Sequence, residues 1–141
     1  MQILTILVIE DEDSLLQLYR IVLEKEGFKV LTVHNGQEAW DLIENEHVDL
    51  VITDILMPVM DGFTLMKQLK MENKYAHIPI IVTSQGGDKS IEKSFALGAT
   101  DFVEKPYNPR IIMHRVQNVV MAYKNARSEA AATNEKNDSV S

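Results

Sequence analysis

Short apolar runs alternate with helix-like segments five times along this chain, and this alternation limits the folds available to it. Runs of this length that are apolar at nearly every position are typical of parallel strands covered by helices on both faces. The runs lie at residues 4–9, 28–33, 50–53, 80–83 and 102–104. The sequence therefore predicts an α/β domain built on a five-stranded parallel sheet.

Helix signals fill the intervals between these runs. Gly27 and Gly98 stand where two helices should end, Asp88 is predicted to cap the fourth helix, and Asn108 with Pro109 opens the fifth. The predicted helices cover residues 14–26, 37–46, 63–71 and 89–97, and a fifth runs from 109 to about 123. We expect one domain over residues 1–126.

Composition narrows the possible functions. The formal charge of -7 disfavours nucleic acid and anionic membranes as partners, because those partners attract clustered Lys and Arg. The chain has no cysteine, which excludes disulfides and thiolate zinc sites. We expect a cytoplasmic protein without a signal peptide or membrane span. Residues 127–141 are polar, and we expect a disordered tail or a linker stub there.

Acidic residues follow two of the predicted strands. Glu10 and Asp11 come directly after the first run, and Asp54 follows the third. In open parallel sheets the functional crevice lies beyond the carboxyl ends of the strands, so these carboxylates should gather at one edge. Crowded carboxylates repel unless a cation lies among them. The pattern predicts a divalent-cation site, with Mg²⁺ the best match to oxygen ligands.

Two further strand ends carry complementary groups. Thr83 ends the fourth run and Lys105 follows the fifth. An aspartate nucleophile, Mg²⁺, a hydroxyl and a lysine are what phosphoryl transfer to a carboxylate requires, because its transition state needs positioning and charge neutralisation. In this interpretation Asp11 and Asp54 ligate Mg²⁺ directly and Glu10 acts through a water, while Thr83 and Lys105 contact the phosphoryl oxygens.

Four short motifs stand at these strand ends. They are Asp-Ile-Leu-Met-Pro-Val-Met-Asp-Gly at residues 54–62, Glu10-Asp11, Thr83-Ser84 and Lys105-Pro106. Together they resemble the CheY-like receiver domain of two-component response regulators. The resemblance covers about residues 3 to 125. It implies a doubly wound, flavodoxin-like sheet in the order 2-1-3-4-5, flanked by five helices.

By this resemblance Asp54 is phosphorylated by a histidine kinase, a phosphotransfer protein or a small phosphodonor. The resemblance adds the backbone carbonyl of Leu56 to the metal ligands and makes Thr83 and Phe102 a switch pair. It also makes the Lys105-Pro106 bond cis. Such a domain is not an enzyme beyond promoting its own phosphorylation and dephosphorylation.

The resemblance also implies an output surface formed by helix 4, strand 5 and helix 5. Apolar residues outside the inner stripe of helix 5 predict a homodimer or partner contact there. These residues are Ile111, Met113 and Val120. The chain itself should not bind nucleic acid directly.

Two rival functions remain open at this level. The order Asp11-Glu12-Asp13 also resembles the start of haloacid-dehalogenase-type phosphatases, with Asp11 as nucleophile and Asp13 as acid. A binding module with the same fold and no phosphorylation is the second rival. Taken singly, each acidic residue is as well explained by helix capping; only the combination favours a receiver.

Overall fold

Five strands and five helices alternate along the described part of the computed structural model. The structure describes residues 2–57, 59–85 and 87–140, and at 109 and 127–140 it describes the backbone only. The strands are β1 Thr5–Ile9, β2 Lys29–Val33, β3 Leu50–Asp54, β4 Ile80–Ser84 and β5 Asp101–Glu104. The helices are α1 Asp13–Lys25, α2 Gly36–Asn45, α3 Gly62–Met71, α4 Asp88–Ala96 and α5 Pro109–Val140. Each predicted element is present, and its ends lie within one residue of the predicted ones, except that α5 continues to Val140.

All strand pairings are parallel, and the order across the sheet is β2-β1-β3-β4-β5. This order confirms the predicted doubly wound topology. The register pairs Ile9 with Thr53 and Asp54 with Thr83, so β1, β3 and β4 end almost level. Their carboxyl ends therefore form one continuous edge.

The two faces of the sheet bury separate cores. Leu7 and Ile9 pack towards α2 and α3, whereas Ile6 and Val8 pack towards α1 and α5. Successive side chains of a strand point to opposite faces, so a strand covered on both sides is apolar throughout. This double coverage explains the unbroken apolar runs in the sequence.

Helix ends are fixed by local hydrogen bonds. The Asn35 side chain accepts a bond from the Glu38 amide at 2.9 Å and caps α2. Asp61 accepts one from the Thr64 amide at 2.8 Å and caps α3. These caps satisfy amides that the first helical turn leaves without partners.

One predicted cap is wrong. Asp88 is the first residue of α4, and Gly87 occupies the cap position. A carboxylate inside the first turn still stabilises the amino end of the helix through its dipole, so Asp88 keeps a favourable position without capping. The predicted ends at Gly27 and Gly98 are confirmed, because both glycines adopt positive φ values just past α1 and α4.

The last helix differs from the expectation of a disordered tail over residues 127–141. Its backbone stays helical as far as Val140, and residue 141 lies outside the described residues. Three consecutive alanines at 130–132 and the glutamates at 129 and 135 are strong helix formers and favour helix there. The domain boundary at residue 126 stays a prediction.

Within the part of the chain that the structure describes, no helix is both long and apolar enough to cross a membrane.

Candidate functional site

Three carboxylates meet at the carboxyl edge of the sheet. Glu10 and Asp11 follow β1, and Asp54 is the last residue of β3. One carboxylate oxygen from each lies within 4.8 Å of the other two. Glu10 and Asp54 are buried, whereas Asp11 is exposed. The structure thus brings together the residues that the sequence places at this edge, with Asp11 at the solvent side.

The Asp54 carboxylate is held through both of its oxygens. Oδ1 accepts a hydrogen bond from the backbone amide of Ile55 at 2.7 Å, and Oδ2 accepts one from Lys105 Nζ at 2.8 Å. Lys105 Nζ also donates to Glu10 Oε2 at 3.2 Å. The Asp54 side chain is therefore fixed in orientation and points into the acidic cluster.

Charge in the cluster is incompletely balanced. Burial raises the pKa of Glu10 from 4.5 to about 7; the Lys105 ammonium opposes this rise and the nearby Asp54 adds to it. Burial lowers the pKa of Lys105, but its hydrogen bond to Asp54 and the charges of Asp54 and Glu10 outweigh that effect and raise it overall. Three carboxylates beside an ammonium leave net negative charge, which favours a bound cation.

The donor set fits Mg²⁺. Carboxylate oxygens are the ligands that this ion prefers, and the exposed Asp11 leaves the site open to the waters that Mg²⁺ retains. Leu56 lies two residues after Asp54, and its side chain is 75% exposed. The Leu56 side chain has no ligand atom, so the resemblance assigns the ligand role to its backbone carbonyl. Its ligand role stays a prediction.

The loop between β3 and α3 packs closely against the site. The Gly62 amide donates to the Ile55 carbonyl at 2.9 Å, and the Gly36 amide donates to the Met60 carbonyl at 3.1 Å. A Cβ atom at Gly62 would lie 2.4 Å from the Asp54 carbonyl oxygen. Val59 adopts φ 69°, which is unusual for a β-branched residue. Pro58, part of the sequence motif, lies outside the described residues.

Thr83 and Phe102 are both buried. Thr83 lies beside Asp54 in the sheet register, and Val103 is its neighbour on β5. Phe102 packs in the core on the α2 and α3 side of the sheet. The role of Thr83 and Phe102 as a switch pair stays a prediction. The Lys105-Pro106 peptide bond is cis, as the resemblance implies.

Two residues of the site surroundings have no counterpart in the sequence prediction. The Tyr107 hydroxyl, two residues after Lys105, hydrogen-bonds with the Tyr19 hydroxyl on α1. Both lie in or against the core on the α1 and α5 side. In the sequence, Tyr19 belongs to the apolar stripe of the first predicted helix and Tyr107 lies in a polar loop. Neither pattern indicates that the two hydroxyls are in contact.

The predicted apolar surface of α5 is smaller than expected. Ile111 is 44% exposed, but Met113 is buried and Val120 packs against the core. The prediction for Met113 is wrong because α5 contacts α1 as well as the sheet, so its buried stripe is wider than a single contact requires.

The phosphatase interpretation requires Asp13 as the acid, but Asp13 is not a member of the carboxylate cluster of Glu10, Asp11 and Asp54. Asp13 Oδ1 is 2.7 Å from His34 Nε2, at an exposed position. This hydrogen bond is the largest cause of the raised pKa of His34. Asp13 is therefore engaged with His34, which follows β2, whereas Asp54 and Lys105 lie against Glu10.

Comparison with known sequences gives one consistent result. The family model of the response regulator receiver domain matches residues 6–117. The response regulator GtcR of Aneurinibacillus migulanus is 38% identical over 113 residues, covering 80% of this chain and 46% of that protein. A chemotaxis protein CheY homologue of Campylobacter jejuni is 34% identical over 118 residues, covering 82% of this chain and 91% of its own length.

Solved structures agree with the sequences. The chemotaxis response regulator CheY4 of Vibrio cholerae superposes with a TM-score of 0.79 at 29% identity, over 84% of this chain and 99% of that one. A response regulator from Chloroflexus aurantiacus superposes with a TM-score of 0.80 at 30% identity, over 85% of this chain and 99% of that one. The chain spans about half the length of some relatives, including 54% of the transcriptional regulatory protein PhoP of Bacillus subtilis.

Proposed function

The chain belongs to the response regulator receiver domain family, and we propose that it accepts a phosphoryl group on Asp54 in a reaction that depends on Mg²⁺. The observation that carries the proposal is the fixed Asp54 carboxylate, with Lys105 Nζ at 2.8 Å and two further carboxylates within ligand distance. The ion neutralises the carboxylates and draws charge from the phosphoryl oxygens when it is bound.

Each residue has a separate task in this proposal. Asp54 is the nucleophile, and the Ile55 amide and Lys105 set the direction of its oxygens. Lys105 can then pair with a phosphoryl oxygen, because its ammonium already lies beside the accepting carboxylate. Asp11, Asp54 and the Leu56 carbonyl would hold Mg²⁺, with Glu10 behind a water. Positioning and charge neutralisation account for most of the catalysis of such a transfer.

The signal would pass from Asp54 to Thr83 and Phe102. Thr83 is the neighbour of Asp54 in the sheet, so a small displacement brings its hydroxyl towards a phosphoryl oxygen. Phe102 precedes Val103, the β5 neighbour of Thr83, and it belongs to the core against which Ile91 of α4 packs. The proposed output is therefore a rearrangement of the face formed by α4, β5 and α5.

The proposed phosphodonor is a histidine kinase or a phosphotransfer protein in the cytoplasm. The proposed recipient is a partner or an output domain, because the match covers only about half of several relatives. The exposed Ile111 at the start of α5 is a candidate contact in a homodimer. We do not propose turnover of an external substrate.

Intact-protein mass spectrometry after incubation with acetyl phosphate tests the proposal. Wild type with Mg²⁺ should gain the mass of one phosphoryl group, and wild type in a chelator should gain none. Asp54→Asn removes the nucleophile with little change in shape and should gain none under either condition. A gain in Asp54→Asn equal to that of wild type would refute the assignment.

A further inference from the structure

A hydrogen bond between two tyrosine hydroxyls joins the two loops that carry the site. Tyr19 lies on α1, which begins two residues after Asp11, and Tyr107 lies two residues after Lys105. The two hydroxyls are hydrogen-bonded, and the ring centroids lie 6.4 Å apart with planes tilted by 52°. Tyr19 is 5% exposed, and Tyr107 packs against the same core. The bond therefore ties α1 to the segment that follows β5.

The segment between β5 and α5 is fastened at both ends by backbone amides. The Lys105 amide donates to the Ser84 carbonyl at 2.9 Å. At the other end, the Arg110 amide donates to the Asn108 side chain at 2.9 Å. Tyr107 lies between these two points, so its hydroxyl bond to α1 restrains the middle of the segment.

This segment sets the position of the Lys105 ammonium. Nζ lies 2.8 Å from Asp54 Oδ2 and 3.2 Å from Glu10 Oε2, and the lysine side chain is only 18% exposed. A long, flexible lysine side chain loses rotamer entropy when its end is fixed at such a place. A restrained backbone lowers that loss, because fewer arrangements of the ammonium compete with the one beside the carboxylates.

We propose that Tyr19 and Tyr107 are positioning residues for Lys105, and that their hydroxyl bond keeps the ammonium against Asp54 and Glu10. This inference rests on the proposed phosphorylation of Asp54, in which Lys105 pairs with a phosphoryl oxygen. Burial raises the pKa of Tyr19 above its usual range, so its hydroxyl keeps the hydrogen that such a bond requires.

Loss of the bond should have two effects of opposite sign. Before phosphorylation the ammonium and Mg²⁺ compete for the same carboxylates, so a loosened Lys105 should let Mg²⁺ bind more tightly. During transfer the ammonium pairs with a phosphoryl oxygen, so a loosened Lys105 should slow phosphorylation. General damage to the site would instead weaken Mg²⁺ binding and slow phosphorylation together.

The test measures Mg²⁺ affinity by titration calorimetry and the rate of phosphorylation by acetyl phosphate at saturating Mg²⁺. Tyr19→Phe keeps the ring, and the partly exposed Tyr107 can replace its lost partner with water. Tyr19→Phe should bind Mg²⁺ about two- to tenfold more tightly than wild type, the range of one net hydrogen bond. Its phosphorylation should be slower by a factor in the same range. Tyr107→Phe breaks the same bond and should change both quantities in the same directions.

Three further variants separate positioning from general structure. In a Lys105→Met background, Tyr19→Phe should leave the Mg²⁺ affinity unchanged, because the ammonium that it releases is already absent. Tyr19→Phe combined with Tyr107→Phe should add little to either single change, since each alone breaks the bond. Tyr75→Phe removes a hydroxyl on the opposite side of the sheet and should behave as wild type.

The outcomes distinguish this inference from the proposed function. If wild type is phosphorylated and Tyr19→Phe binds Mg²⁺ equally or more weakly, the positioning role is refuted and the proposed function stands. If wild type accepts no phosphoryl group, the proposed function fails and the inference fails with it. A Tyr19→Phe effect on Mg²⁺ affinity that persists in the Lys105→Met background also overturns the inference.

Discussion

The raised pKa of Glu10 predicts how stability depends on pH. Its carboxyl binds protons more tightly in the folded chain, because burial raises its pKa from 4.5 to about 7. A group of this kind contributes stability at low pH that is lost as the pH rises from about 4.5 to about 7. Replacing it by Glu10→Gln removes the titration, so the free energy of unfolding of the variant should rise relative to that of wild type as the pH rises.

The size of the effect follows from the same pKa values. Each pH unit within the window is worth about 1.4 kcal/mol. Between pH 5 and pH 8 the free energy of unfolding of Glu10→Gln should therefore rise relative to that of wild type by about 2.5 kcal/mol. Only the change with pH is predicted, since glutamine also alters the hydrogen bond with Lys105.

Urea unfolding at several pH values in a chelator measures this difference. Glu92→Gln removes an exposed glutamate on α4 and should track wild type throughout. Added Mg²⁺ should reduce the Glu10→Gln advantage above pH 7, because a cation favours the ionised carboxylate of the wild type. A difference between Glu10→Gln and wild type that stays constant from pH 5 to pH 8 would refute the burial argument.

Three other substitutions test single contacts. Gly62→Ala places a methyl 2.4 Å from the Asp54 carbonyl oxygen and should lower the free energy of unfolding by about 1 to 3 kcal/mol. Gly87→Ala has no atom within 4 Å of the added methyl and should lower it less. Equal urea midpoints for the two variants would contradict this. Asp61→Ala removes the cap of α3 and should cost about 1 kcal/mol by the same assay. Lys105→Met removes the ammonium that competes with Mg²⁺ for the carboxylates of Glu10 and Asp54. Titration calorimetry should therefore show tighter Mg²⁺ binding than in wild type. Weaker binding would count against the metal site.

The sheet and its acidic edge were accessible from the sequence because both depend on local patterns. A strand buried on two faces must be apolar throughout, and parallel strands share one carboxyl edge. Those two rules place Glu10, Asp54 and Lys105 at one edge of the sheet, and the resemblance to receiver domains supplies the strand order. Their hydrogen bonds needed the structure, since bond geometry depends on how far β5 reaches beyond its neighbours.

The tyrosine pair shows where pattern reasoning ends. Tyr19 and Tyr107 are 88 residues apart, and their meeting depends on the packing of α1 against the chain that follows β5. An aromatic residue on an apolar stripe looks like ordinary core, so its hydroxyl carries no sequence signal. The prediction of an exposed Met113 is wrong for a related reason, because the width of a buried stripe depends on how many neighbours the helix has.

The identity of the phosphoacceptor is the central claim, and borohydride reduction of the phosphorylated protein tests it directly. Reduction converts an aspartyl phosphate to homoserine, which tandem mass spectrometry of the digested chain can locate. After incubation with acetyl phosphate and Mg²⁺, homoserine should appear at position 54. Homoserine at position 11 with aspartate intact at position 54 would contradict the account and favour the phosphatase arrangement instead.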